Sequence, residues 1–150
     1  MSVMLDEVRK YVEITDEDLD KPLIFKKKDD LYFMILNKPK VNSFNHDQIR
    51  NIVACCDEIE ESHGPACLIT LSLNDKIFSG GIDLKYTSEL GRIENIKYFI
   101  LELIAMFGRV TMLNIPTIAV VKGACIAGGF MLTSSHDLVY VVDKAVFACN

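Results

Sequence analysis

Lys122-Gly123-Ala124-Cys125-Ile126-Ala127-Gly128-Gly129-Phe130-Met131 is the stretch whose reading decides the fold. The apolar run Thr117 to Val121 just before it reads as a buried strand, and the apolar residues from Gly128 to about Ser135 read as a helix. A strand therefore runs into a helix whose first turn carries no polar side chain. The N–H groups of such a turn have no partner inside the helix, and with the helix dipole they form an anion site that paired glycines leave open. Taken alone, the stretch equally fits close packing of a strand against a helix.

A second glycine pair lies upstream, in Ile77-Phe78-Ser79-Gly80-Gly81-Ile82-Asp83-Leu84, after the run Ala66 to Leu73 that reads as a buried strand. Loops that follow strands are where α/β proteins bind ligands. Asp83 is placed to cap a short following turn, which would aim the Ile82 N–H into a pocket. A tight turn with a helix cap is the plain alternative.

Outward from these segments, helices alternate with strands, which argues for α/β layering. Leu23 to Lys28 and Leu31 to Leu36, separated by Asp29-Asp30, predict a hairpin. Ile49, Ile52, Val53, Cys56 and Ile59 predict an amphipathic helix over 45–62 that stops near Gly64-Pro65. Ile93, Ile96, Ile100, Leu103, Phe107 and Val110 predict another that ends before Pro116, and strands are expected at Leu138 to Val142 and from Val146. Residues 1–21 read as an acidic N-terminal extension, a short helix and linker appended to the domain at 22–150.

The net charge of −5 disfavours nucleic acid and anionic membrane surfaces, and no run is long and apolar enough for membrane insertion. Lys26, Lys27 and Lys28 are followed at once by Asp29 and Asp30 and read as a solvated strand end. Five cysteines without a C-x-x-C pair predict neither a zinc site nor a disulfide framework, so no metal is expected and an intracellular setting is. No targeting signal is visible.

Taken together and in this order, these segments resemble the crotonase (enoyl-CoA hydratase/isomerase) superfamily. The matching pieces are Pro39-Lys40-Val41-Asn42-Ser43-Phe44, the Phe78 to Leu84 segment, Ile115 to Gly123 with the glycine-rich helix start, and Asp137-Leu138-Val139-Tyr140. The resemblance covers residues 23–150 and is nearest to the Δ3,Δ2-enoyl-CoA isomerases. It implies a crotonase-like (ClpP/crotonase) spiral of β-β-α units, incomplete at the C-terminus, that binds an acyl-CoA thioester. The carbonyl oxygen would sit in an oxyanion hole made by the backbone N–H groups of Ile82 and Gly128, with Ser79, Gly80, Gly81, Asp83, Leu84, Gly129 and Met131 around the substrate. Coenzyme A enters only as part of the substrate, and no separate cofactor is implied.

Hydratases of the superfamily carry a catalytic glutamate two residues past the glycine pair, where this chain has Met131, and methionine moves no proton. Isomerases place theirs later, in a run that Phe147-Ala148-Cys149-Asn150 resembles, with the glutamate expected at the next residue. The implied reaction converts a 3-enoyl-CoA to the trans-2-enoyl-CoA through a dienolate, in fatty-acid β-oxidation, in mitochondria or peroxisomes. A homo-oligomer, trimer or hexamer, is implied, or a subunit of a larger complex. The other reading is a catalytically inactive structural or binding subunit on the same fold. Ser134-Ser135-His136-Asp137 is set aside as a triad, since neighbours at a helix end point apart, and His136 is read as a C-cap. His46 and His63 are read as surface residues, and Lys85 as solvated or near the CoA phosphates.

Overall fold

A computed structural model describes residues 3–149, with side chains from Leu5 onward. Its elements are α1 (Val3–Tyr11), α2 (Asp16–Leu19), β1 (Leu23–Lys28), β2 (Leu31–Leu36), α3 (His46–Glu61), β3 (Cys67–Ser72) and β4 (Ile77–Ser79). They continue as α4 (Leu84–Glu89), α5 (Ile93–Thr111), β5 (Thr117–Val121), β6 (Ala124–Ile126), α6 (Gly128–Ser134), β7 (Leu138–Val141) and β8 (Val146–Ala148).

The strands form two sheets, ordered β1-β2-β3-β5-β7 and β4-β6-β8. Only β1 and β2 are antiparallel, joined through Asp29-Asp30 with Lys28 opposite Leu31. All later pairs are parallel. Each turn of the chain gives one strand to the large sheet, one to the small sheet and then helix: β3, β4, α4 and α5, then β5, β6 and α6, then β7 and β8. That order is a β-β-α spiral, as the resemblance implies.

Alternation along the strands sends side chains to two cores. Tyr32, Met34, Leu36 and Leu68 face α3 and α5, whose buried stripes include Ile52, Cys56, Ile59, Phe99, Leu103 and Met106. Phe33, Ile35 and Leu71 face the other way and pack with Leu5 and Val12 of the N-terminal segment. That segment, read from the sequence as an appended extension, packs against the sheet. Leu5 is fully buried, and its contribution is about 1.5–3 kcal/mol at most. The helix stops in a Schellman motif, with Glu13 at φ +56, the Ile14 N–H donating to Arg9 O at 3.0 Å and the Glu13 N–H to Lys10 O at 3.4 Å.

The lysines of β1 are not simply solvated. Lys26 pairs with Asp18 at 2.6 Å, Lys28 with Glu13 at 2.7 Å, and Lys27 lies over the Tyr32 ring. Asp18, which also caps α2 with Thr15, is held well below the usual carboxylate range by Lys21 first and then Lys26. Cys55, Cys56 and Cys125 are buried free thiols, pushed up to about 12, 11 and 11 by burial, which keeps them protonated and inert.

His136 binds α6 to the large sheet. Its Nδ1 donates to Leu132 O at 2.8 Å, which fixes Nε2 as the acceptor of the Thr70 hydroxyl at 2.7 Å. Asp137 accepts from the Thr117 N–H at 2.8 Å and hydroxyl at 2.9 Å, tying β7 to β5. These two residues therefore join elements rather than perform catalysis. Burial lowers the His136 pKa, so the unfolded chain takes up this proton first, near its ordinary 6.5. The stabilisation is complete above that value and is lost as the pH falls through the depressed folded value. We expect the urea midpoint to drop between about pH 7.5 and about pH 5, and His136→Gln to flatten that slope.

Candidate functional site

The two glycine-bearing segments meet at the open ends of β4 and β6. Gly81 has φ +82, and a Cβ there would lie 2.9 Å from Gly128 N, 2.9 Å from Ile126 O and 3.0 Å from Ala127 Cβ. A Cβ on Gly129 would lie 2.7 Å from Ser79 Cβ and 2.8 Å from Ser79 O. A Cβ on Gly128 would lie 3.1 Å from the Phe44 ring. At positions 81 and 129 a Cβ would run into backbone of the facing segment, whereas at 128 it would press on the Phe44 ring.

The upstream loop is held from both sides. The Gly80 N–H donates to Val41 O at 2.7 Å, and Ser79 Oγ donates to Asn42 O at 2.8 Å while accepting the Gly81 N–H at 3.1 Å. The Phe44 N–H donates to Gly81 O at 2.8 Å and Phe44 O accepts the Asp83 N–H at 2.9 Å, a parallel bridge centred on Ile82. In such a bridge the flanking residues make the bonds, so the Ile82 N–H faces away from Phe44. Asn42 itself, at φ +48 and buried, donates to Ser72 Oγ and Phe78 O.

Asp83 caps α4 as expected, accepting the Tyr86 N–H at 3.1 Å, and also binds Lys38 and Ser43 at 3.1 Å each. Burial raises its carboxyl pKa, but the Tyr86 N–H, Lys38 and Ser43 together outweigh burial and leave the pKa lowered. The loop is thus clamped one residue past Ile82.

The downstream loop ends at Ala127, which sits at φ +46, ψ −112 with no side-chain cap on the helix. A non-glycine residue stays in so sparse a region only where its surroundings dictate it. The Ala127 N–H donates to Ala148 O at 2.7 Å, and Ala127 O accepts the Met131 N–H at 3.0 Å. Among the described residues, neither the Gly128 nor the Ile82 N–H has an internal acceptor.

Size alone does not select a ligand site, since cavities of about 390, 400 and 380 Å³ lie in different parts of the molecule. The last opens on α6 and is lined by Ile104, Phe107, Phe130, Met131, Ser134, Ser135 and Cys149. Met131 is half-exposed there, a wall residue rather than core, and no lining residue is a carboxylate or an imidazole.

The sequence profile of the enoyl-CoA hydratase/isomerase family matches residues 26–150. The chain belongs to the enoyl-CoA hydratase/isomerase family. It is 29% identical over 126 residues to a short-chain-enoyl-CoA hydratase of Clostridium acetobutylicum, covering 83% of this chain and 48% of that protein. It is 26% identical over 119 residues to the peroxisomal enoyl-CoA delta isomerase 2 of Arabidopsis thaliana, covering 77% and 50%. An enoyl-CoA hydratase from Bacillus anthracis superposes with a TM-score of 0.79 at 19% identity, over 85% of this chain and 50% of that one, which shows the fold. The chain spans about half the length of the curated relatives it matches.

Within this family framework, Ser79, Gly80, Gly81, Ile82, Gly128 and Gly129 are brought together, and Asp83 braces them. Leu84, on the first turn of α4, is 78% exposed, and Lys85 points to solvent beside Glu89. Asn150 lies outside the described residues. His46 is not a free surface residue. It joins three helices, with Nδ1 bonded to the Tyr86 hydroxyl, Nε2 3.1 Å from Glu102 and its ring against Phe99. Residues 40 and 56 positions apart make those bonds, and no local pattern in the sequence marks them.

Gly81→Ala and Gly129→Ala are expected to destabilise the fold by about 1–3 kcal/mol or more, because backbone must move. Gly108→Ala, in the interior of α5 with nothing within 4 Å of its Cβ, is expected to stabilise by about 0.4–1 kcal/mol. Denaturant unfolding of the three variants checks both signs.

Proposed function

We propose that the protein binds an acyl-CoA thioester with its carbonyl oxygen between the N–H groups of Ile82 and Gly128, and shifts the double bond of a 3-enoyl-CoA to give the trans-2-enoyl-CoA. The observation that carries this reading is that the two N–H groups left without internal acceptors sit on loops in direct contact. Rigid donors aimed at the oxygen where charge develops stabilise an enolate without reorganising at the moment of reaction. Gly128 also begins a helix, which adds its dipole to the same point.

The chemistry is one proton moved. A carboxylate takes the C2 proton, the electrons spread as a dienolate onto the held oxygen, and the same acid returns the proton at C4 as the double bond settles at C2. Met131 stands where a hydratase acid would be, which favours isomerisation over hydration. The described residues that line the cavity beside it include no carboxylate, and this reading calls for one there. The apolar lining suits the acyl chain. A role in fatty-acid β-oxidation puts the protein in mitochondria or peroxisomes, in keeping with its peroxisomal isomerase relative. Exposed Ile93, Tyr98 and Leu101 on α5 support assembly into a homo-oligomer.

The test compares Gly128→Pro with Gly128→Ala in the protein as the cell makes it. Both variants place a carbon near Phe44 and only proline removes the N–H; because Ala127 before it is not extended, the unfolding midpoint of each variant is measured alongside, to separate loss of the donor from loss of the fold. We expect 3-enoyl-CoA isomerisation to fall about 100- to 1,000-fold in the proline variant, while the alanine variant keeps most of it. Equal activity in two folded variants would overturn the oxyanion assignment. Met131 in place of the hydratase acid also fits a second reading, a binding subunit, which would show as acyl-CoA binding without turnover by the wild type.

A further inference from the structure

The six residues of α4 follow directly on Ile82 and Asp83, and none of them is buried. Leu84 and Lys85 face solvent, so apolar packing reaches the helix only through Tyr86 and, past its end, Leu90. Thr87 and Ser88 bond back along the chain, to Asp83 O and Lys85 O. Among the described residues, the Tyr86 hydroxyl makes the one side-chain hydrogen bond that leaves α4 for another element, and its partner is His46 Nδ1. A helix packed this lightly is held by few contacts, and each of them counts.

The tie itself is built by three elements. His46 is the first residue of α3, and its ring packs edge-on against Tyr86 and Phe99, with centroids 5.5 and 5.2 Å away. Its Nε2 lies 3.1 Å from Glu102 of α5. A carboxylate only accepts, so Nε2 carries the hydrogen, and in the neutral ring Nδ1 keeps its lone pair for the Tyr86 O–H. Glu102 therefore sets the tautomer that lets His46 hold α4.

The other attachment is main chain. The Phe44 N–H donates to Gly81 O and Phe44 O accepts the Asp83 N–H, so two bonds along one edge hold Ile82 in place yet leave a hinge about that edge. Lys38 and Ser43 hold the Asp83 carboxylate, and the first turn of α4 is coupled to it, because Asp83 also accepts the Tyr86 N–H on its carboxylate and the Thr87 N–H on its carbonyl. A tie away from the hinge stops the turning. We propose that His46 is a positioning residue of the oxyanion site, which through Tyr86 fixes the rotation of α4 and with it the direction in which the Ile82 N–H points. Its effect on turnover rests on the acyl-CoA reading, whereas its effect on the Ile82 amide rests on the geometry alone.

The experiment compares wild type with Tyr86→Phe, which keeps the ring and loses only the hydroxyl, and with His46→Leu and His46→Asn, all in the native protein. Kinetics on a 3-enoyl-CoA, urea unfolding midpoints and the backbone amide signals of Ile82 and Thr87 are measured for each. We expect Tyr86→Phe and His46→Leu to lower kcat about ten- to 100-fold with KM near wild type, because a misdirected donor is felt most in the transition state. The Ile82 amide signal should move in both, and Thr87 amide exchange should speed up about ten-fold. His46→Asn, which keeps an acceptor beside Tyr86, should retain most of the wild-type kcat. A purely structural tie would lower the unfolding midpoint and leave kcat of the folded protein unchanged, and that result overturns the proposal, as does an Ile82 signal unmoved in folded Tyr86→Phe and His46→Leu. A wild type that turns over no 3-enoyl-CoA defeats the isomerase reading alone, and the Ile82 and Thr87 amides then decide whether His46 positions the loop.

Discussion

Backbone-to-backbone contact between the 79–82 loop and the start of α6 is the constraint on which the rest depends. No Cβ fits on Gly81 against the Gly128 nitrogen or on Gly129 against Ser79, so the gap between the two sheet turns is set by main chain and the small Ser79. Main-chain positions are stiffer than rotamers, and whatever binds there meets donors that scarcely move. The bonds of Ser79, Asn42, Val41 and Phe44 hold one loop, and the strained Ala127 with its bond to Ala148 holds the other. The second strand of each spiral turn ends at this place, which is why a small sheet of short strands positions it.

The large sheet serves as a wall with two occupied faces. On one, α3 and α5 pack, and Phe107 of α5 meets edge-on the ring of Phe44, which precedes α3 and lies against Gly128. On the other, α1 covers Phe33 and Ile35 and brings Arg9 to the strand ends. The N-terminal helix thus packs beside the Lys40 to Asn42 segment, whose Val41 carbonyl accepts the Gly80 N–H.

Much of this order is legible in the residues. The hairpin follows from two six-residue β-like runs and an Asp-Asp turn, and α3 and α5 follow from apolar spacings of three and four. The strands β4 and β6 are not legible, because three residues show no alternation, and without them the second sheet and its contact cannot be drawn. The stop of α1 is hidden because Glu13, not glycine, takes the left-handed position. Of the site, the glycine pairs are visible as motifs and Asp83 as a cap. The Lys38 bond to Asp83 and the His46 bonds to Tyr86 and Glu102 are products of tertiary folding that no neighbouring residue announces.

The most direct test of the central claim is to follow the backbone amide resonances of Ile82 and Gly128 while the protein is titrated with acetyl-CoA. Both N–H groups donating to one thioester oxygen predicts that the two proton signals move downfield together, with the same saturation point, and by more than those of Gly80 or Phe130. Saturable binding that leaves both signals in place would contradict the account.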